Sequence, residues 1–206
     1  MSYSFFQTPT WDLKLFWWVN HSLKNPFLDK IIPFFSSPFL GIGLALVIGL
    51  IFWSKTKKHI LFFLLIVVLT ALCDLSANVI KKSIGRIRPL NSLAQTYFVE
   101  DHQWQKRPNH FQPNKTHGSS FFSSHAANTL LVCLLLGWRF PKLGFYLLPI
   151  PLLVGFSRVY LGKHYPSDVL MGYVWGIIFF LLFLALYTTG TIYYGQTSWF
   201  KRIFRD

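Results

Sequence analysis

Long apolar runs alternate along this chain with short polar stretches that are mostly basic. The first run, residues 31–53, carries no charge and ends against Lys55, Lys57 and Lys58. Pro33 and Pro38 interrupt its first part, so its helical core is expected at 39–53 with some turns upstream. A second run, 60–80, contains Asp74, Ser76 and Asn78 as its polar interruptions. Further runs cover 121–138, 143–161 and 169 to about 189. Each reaches about 20 residues, the length a helix needs to cross a bilayer. They are continuous rather than alternating in pieces of about ten, which argues against barrel strands. The pattern predicts an all-α integral-membrane helical bundle with about five transmembrane helices.

Residues 11–23 behave differently. Trp11, Leu15, Trp18 and Val19 fall at helical spacing, with Asp12, Lys14 and Asn20 elsewhere. This is the pattern of a short helix lying in the membrane interface, expected at about 10–24. The first residues lack the basic segment and small-residue cleavage site of a secretory signal. Cys73 and Cys133 fall inside apolar runs and read as buried packing residues rather than a disulfide. No internal repeat or linker divides the chain, so residues 1–206 are expected to form a single membrane domain. Its main polar insertion is a long loop at about 89–119. With Tyr97, Phe98, Trp104 and Phe111 in it, that loop is expected to fold over the site as a cap that reads a headgroup.

Composition agrees with a membrane chain and adds a question. Hydrophobic residues make up 52% of the 206 residues and charged ones only 13%, which excludes a disordered tail or a solvent-exposed coiled coil. The charges are lopsided, 20 Lys+Arg against 7 Asp+Glu. Numbering the runs in order puts eight bases on one face: Lys55, Lys57, Lys58, Arg139, Lys142, Lys201, Arg202 and Arg205. The other twelve share the opposite face, and a bare positive-inside count would make that face cytoplasmic. The division over both faces argues against nucleic acid as a partner.

Three patches converge on the twelve-base face. Residues 81–89 (KKSIGRIRP) end the second run, Phe122, Ser123, Ser124 and His125 open the third, and Ser157 and Arg158 end the fourth. His164, Tyr165, Pro166, Ser167 and Asp168 then lead into the fifth. Lys81, Arg88 and Arg158 offer a compact positive field with forked N–H donors suited to phosphate. Ser123 to His125 lie where a helix begins, so free backbone N–H groups add anion affinity. Pro166 suits a first helical turn, which brings Asp168 within reach of His164. A carboxylate on one ring nitrogen leaves the other as a nucleophile, and His125 is free to protonate a leaving oxygen. The bases can neutralise a transferring phosphoryl group, so neither metal nor cofactor is called for.

The pattern Lys-x6-Arg-Pro, then Ser-x-His, then Ser-Arg-x5-His-x3-Asp resembles the type 2 phosphatidic acid phosphatase and haloperoxidase superfamily. The motifs run in order from Lys81 to Asp168, and the surrounding runs match its membrane lipid phosphatase branch. The second motif there usually reads Pro-Ser-Gly-His, whereas Phe122 and Ser124 stand here. This Ser-Ser-His form is similar to bacterial undecaprenyl-diphosphate and lipid A phosphatases. The resemblance implies that Lys81, Arg88, Ser123, Ser124 and Arg158 bind phosphate. It implies His164 as the nucleophile forming a phosphohistidine, Asp168 as its orienting partner and His125 as the proton donor.

The expected activity is therefore metal-independent hydrolysis of a lipid phosphomonoester or terminal diphosphate, undecaprenyl diphosphate first. Lipid A, phosphatidylglycerophosphate and phosphatidic acid follow. The family's bacterial members imply the inner membrane, with the site on its outer face. A phosphotransferase with the same residues, and a small anion-binding transporter, remain alternatives. Asp74, Asn78 and Lys81 share one helix face, which gives the first two an expected supporting role behind the bases. Lys82, Arg86 and Lys163 divide evenly between membrane anchors and ligands. His21, His59, His102, His110 and His117 read as packing or loop residues.

Overall fold

The computed structural model describes residues 7–37, 41, 43, 46, 49, 57–113, 115 and 117–194. Helix α1 (Thr10–Trp17) continues through a π-helical turn (Trp18–Ser22), and α2 is Pro26–Phe35. Asn25 caps α2, accepting from the N–H groups of Phe27 and Leu28 at 3.1 and 3.0 Å, with Pro26 in the first turn. Pro33 lies inside α2 rather than breaking it. A proline cannot bond the carbonyl four residues back, so Asp29 O is released, and the Trp104 indole N–H takes it at 3.2 Å. The core of the first apolar run, 39–53, lies outside the described residues apart from isolated positions.

Beyond it come α3 (Lys57–Ile84), the short α4 (Pro89–Ser92), strands β1 (Tyr97–Glu100) and β2 (Gln103–Lys106), and helices α5 (Ser124–Arg139), α6 (Pro141–Leu147), α7 (Pro149–Tyr160) and α8 (Pro166–Tyr194). The fourth apolar run is thus two helices, starting at Pro141 and divided before Pro149, whose missing N–H interrupts the ladder. Three described stretches are long and apolar enough to cross a membrane: His59–Ser92, Pro141–Tyr160 and Pro166–Tyr194. The third run gives only the 16-residue α5, roughly 24 Å long at 1.5 Å per residue. Only 22% of the apolar windows in the first and last of those stretches is buried within the protein, so most of each presents its side chains outward. That is the distribution of a membrane protein whose solvent is lipid.

Helix α5 is the hub, packing against α3, α6, α7 and α8. Its buried face carries Ala126, Ala127, Leu131, Leu135 and Leu136. Opposite it, Gly172 and Gly176 of α8 form a small-xxx-small stripe that lets the two backbones close. A Cβ at Gly172 would sit 2.5 Å from the Ser123 carbonyl oxygen, and one at Gly176 2.6 Å from that of Ala127. This approach sets the start of α5 directly beside the start of α8.

Two features depart from the sequence expectation. The long loop contains an antiparallel hairpin, so the protein is mostly but not wholly helical. Tyr97 pairs with Lys106, and Asp101 and His102 turn the chain at φ +49° and +60°. The hairpin's bonds run to the N-terminal segment: Asn20 bonds both the N–H and the carbonyl of Tyr97, at 3.0 and 2.9 Å, and also the Tyr160 carbonyl. The N-terminal helix is also oriented differently from a simple interfacial helix. Asp12, Phe16 and Asn20 are buried against the protein, while Trp11, Leu15 and Trp18 are exposed.

Candidate active site

The site forms where four helix ends meet. Ser123 caps α5, its carbonyl accepting from Ala127 N–H at 3.1 Å, and its own N–H donates to the Asp168 carbonyl at 2.9 Å. At the C-terminus of α7, Gly162 adopts φ +65°, where an L side chain is strained. This turn lets the N–H groups of Lys163 and His164 both return to the Arg158 carbonyl, at 3.0 and 3.1 Å. Arg158 and His164 are thereby brought onto one surface. Pro166 then begins α8, and Asp168 in its first turn accepts from the Tyr165 N–H at 2.9 Å, one half of a capping box.

The structure brings Lys81, Arg88, Ser123, Ser124, His125, Arg158, His164 and Asp168 together. Lys81 Nζ donates to Ser124 Oγ at 2.5 Å, Arg88 Nη2 to Ser119 Oγ at 3.4 Å, and Arg158 Nη1 to Ser36 Oγ. All three cations thus meet neutral hydroxyls. The Nε atoms of Arg88 and Arg158 are buried with no hydrogen-bond partner among the described residues. Buried donors without acceptors are costly, and an anion with several oxygens is the ligand that relieves them. Ser124 stands in the first turn of α5 at a negative φ, a conformation open to any residue.

His164 is buried, and its Nδ1 donates to the Ser120 carbonyl at 2.7 Å. A carbonyl only accepts, so the proton resides on Nδ1 and the Nε2 lone pair is free. Asp168 Oδ2 lies 3.7 Å from the same nitrogen. The tautomer is therefore set by Ser120, and Asp168 acts on the ring as a nearby charge. Ser120 also donates its hydroxyl to Asp168 Oδ2 at 2.5 Å, so one residue ties both groups together. Burial, opposed by Asp168 and reinforced by Arg158 and Arg88, lowers the His164 pKa to about 4 and keeps the ring neutral.

Arg86 is not a membrane anchor. It is buried and donates to Asp168 Oδ1 at 2.5 Å, to Ser167 Oγ at 2.7 Å and to Asp12 Oδ2 at 2.6 Å. Lys82 is exposed, with its carbonyl bonded by His117 Nε2 at 2.9 Å. Asp74 is close enough to Lys81 to act on its charge, and Asn78 holds Asp74 in turn. Asp74 accepts from Asn78 at 3.1 Å and from Asn128 of α5 at 3.5 Å. With Asn128 and Thr129 it lines a cavity of about 570 Å³ whose other walls include Phe63, Ile66, Val132, Leu136 and Ile150. His125 borders the same cavity, so an apolar space opens beside the ring. Sequence reasoning missed Ser119, Ser120 and Asp12, none of which belongs to the motifs. The only available signal was the Ser-Ser pair closing the long loop immediately before the third run.

Comparisons with known proteins follow the same lines. A sequence model of the PAP2 superfamily matches residues 59–192. The chain is 28% identical over 166 residues to the undecaprenyl-diphosphatase BcrC of Bacillus subtilis, covering 79% of this chain and 76% of that protein. It is 30% identical over 138 residues to a lipid A 1-phosphatase of Rhizobium etli, covering 64% of this chain and 55% of that protein. The chain spans little more than half the length of that second relative. Among solved structures it is similar to LpxE of Aquifex aeolicus, with a TM-score of 0.62 and 23% identity over 90% of this chain and 99% of that one. It is also similar to the first transmembrane PAP2-type phosphatidylglycerolphosphate phosphatase from Bacillus subtilis, with a TM-score of 0.60, 22% identity and 88% of each chain covered.

Proposed function

This chain belongs to the PAP2 superfamily, and we propose that it is an integral-membrane lipid phosphatase working through a phosphohistidine at His164. The observation that supports this reading is the set of cations, buried Lys81 and Arg158 and half-buried Arg88, that among the described residues donate to hydroxyls beside a histidine with a free Nε2. In the first step the Nε2 lone pair forms the N–P bond as the P–O bond to the lipid breaks. Burial and the surrounding Arg158, Lys163 and Lys81 hold the His125 pKa down to about 3, so His125 takes up its proton together with the phosphate anion, which offsets those bases, and gives it to the leaving oxygen. In the second step water attacks phosphorus, returns a proton to His125 and displaces His164, releasing orthophosphate. Lys81, Arg88, Arg158, Ser123 and the backbone of Ser124 hold the phosphoryl oxygens throughout. Asp168 offsets the positive charge of the phosphorylated imidazole. The bases provide the charge neutralisation, so the reaction runs without metal. The lipid tail occupies the cavity beside His125.

Residues 1–206 act as one membrane domain in the inner membrane, with the site on the outer face. The first substrate is undecaprenyl diphosphate, followed by lipid A and phosphatidylglycerophosphate. The test is phosphate release in detergent with chelator present, from a panel of lipid phosphates, by wild type and His164→Ala. Wild type releases phosphate from at least one lipid and is inhibited by vanadate, while the variant is inactive. Undiminished release by His164→Ala ends the nucleophile assignment. Binding without release would leave an anion-binding membrane protein. Accessibility of a cysteine placed at the exposed Gln105 to a membrane-impermeant reagent fixes the face.

A further inference from the structure

Asp12 and Arg86 lie outside the residues assigned above, yet they meet the candidate centre directly. Asp12, on α1, is fully buried. Its Oδ1 accepts from the Ser167 N–H at 2.8 Å, and its Oδ2 from Ser167 Oγ at 2.5 Å and Arg86 Nη2 at 2.6 Å. Arg86 Nη1 reaches Asp168 Oδ1 at 2.5 Å, and Nη2 reaches Thr8 Oγ1 at 3.1 Å. The guanidinium carbon stands 3.9 Å from the centre of the Tyr165 ring, which stacks on it. The result is a continuous chain, Asp12–Arg86–Asp168–Ser120–His164, assembled from α1, the segment after α3, the loop before α5, and the turn leading into α8.

We propose that Asp12 and Arg86 are positioning residues of the hydrolytic centre, with the N-terminal helix supplying the outer carboxylate that holds Arg86 and, through it, Asp168. This inference rests on the phosphohistidine reading. The charge count gives its physical content. Arg86 alone against Asp168 would be a buried ion pair, and its charge would cancel the carboxylate that His164 needs. A second buried carboxylate shares the guanidinium, so the three groups together carry one negative charge. When Nε2 takes the phosphoryl group and Nδ1 keeps its proton, the ring becomes cationic, and this residual negative charge lies next to it. Arg86 meanwhile fixes the rotamer of Asp168 from the side opposite Ser120.

The experiment uses the full-length protein in detergent and steady-state release of phosphate from a lipid phosphate that wild type hydrolyses. Asp12→Asn is measured in the wild-type and Asp168→Asn backgrounds. The Asp12→Asn substitution is expected to lower kcat about tenfold with KM within about twofold, the scale of one charge-assisted hydrogen bond. In the Asp168→Asn background the same substitution should change kcat by less than about twofold, because its route of action is already gone. The pH profile gives a second readout. His164 faces Asp168 of α8, Arg86 and Arg88 after α3, Arg158 of α7 and Lys163 in the turn, with Lys81, His125 and Tyr165 beyond them. Arg86→Gln removes a positive charge and should move the acid limb of kcat/KM to higher pH. Asp12→Asn removes a negative one and should move it to lower pH. A merely structural role predicts equal losses in both backgrounds with no opposed shifts, and that result overturns the proposal. Should Asp12→Asn fail to fold, Ser167→Ala keeps every charge and carries the same cycle with an expected loss of about threefold. If His164→Ala is inactive while Asp12→Asn matches wild type, the clamp alone fails. If His164→Ala is active, the phosphohistidine reading fails with it.

Discussion

The buried His164 makes a stability prediction that can be separated from the titrating groups outside its pairing with Asp168. Its folded pKa, near 4, lies below the usual 6.5 because burial disfavours the imidazolium. Between those values the unfolded chain binds a proton that the folded protein does not. Stability from this group is therefore fully present above pH 6.5 and is lost as pH falls through the window toward 4. A shift of that size corresponds to roughly 3 kcal/mol at 1.36 kcal/mol per unit. For a chain of this length, that is about 6–12 °C in Tm. The perturbation is His164→Asn, which removes the titration and keeps a polar side chain of similar reach. The assay is thermal unfolding in detergent at steps from pH 7.5 to 4, followed by intrinsic fluorescence of the 8 Trp residues. Carboxylates and histidines remote from His164 titrate alike in both proteins and cancel in the difference, which leaves His164 with its charge partner Asp168. The wild-type Tm should fall toward that of the variant as pH drops, with most of the change between 6.5 and 4. A pH-independent difference between the two curves would refute the buried-neutral assignment. The same ionisation should form the acid limb of activity, since only neutral His164 has a lone pair on Nε2.

Three further perturbations probe other parts of the structure. Trp104→Phe strands the Asp29 carbonyl that Pro33 leaves free and replaces the indole 3.4 Å beneath Lys24 Nζ with a smaller, weaker cation–π ring. It should cost about 1–3 kcal/mol, read as a fall in Tm with little change in turnover on a soluble aryl phosphate. Gly172→Ala forces a methyl group to 2.5 Å from the Ser123 carbonyl, so α5 and α8 must separate. A stability loss of at least about 1–3 kcal/mol should come with reduced kcat, because the separation moves His125 relative to His164. Val132→Trp fills the cavity bordered by His125 and should raise KM for a long-chain lipid phosphate while leaving hydrolysis of the aryl phosphate near wild type. Equal losses on both substrates would show that the tail lies elsewhere.

Much of the fold was legible because lipid imposes a simple rule. Runs of apolar residues mark α3 and α8, each helix extending three to five residues past both ends of its run, since a helix satisfies its own backbone in hydrocarbon. The sequence was less informative wherever proline acted through a tertiary partner. Pro33 reads as a helix breaker, yet α2 continues past it with the released Asp29 carbonyl taken by Trp104, 75 residues from Asp29 along the chain. The hairpin was equally hidden. Its two strands have four residues each, and Asp-His at the turn lacks the glycine that usually signals one.

The site divides along a similar line, and its charges show why. Alternation of the helix ends was enough to bring Lys81, Ser123, Arg158 and His164 to one face, because connectivity alone decides which ends are neighbours. Connectivity does not decide what each base meets there. Arg86 and Arg88 are two residues apart, equally basic and equally close to a span end. One is held by two buried carboxylates, 74 and 82 residues distant, while the other meets a hydroxyl. A cation already balanced by carboxylates has little affinity left for an anion, whereas one held by a serine retains nearly all of it. Only the second kind suits the proposed phosphate-binding set. Arg86 therefore leaves the count of bases that orient the chain, as the three proposed phosphate ligands do, but for the opposite electrostatic reason.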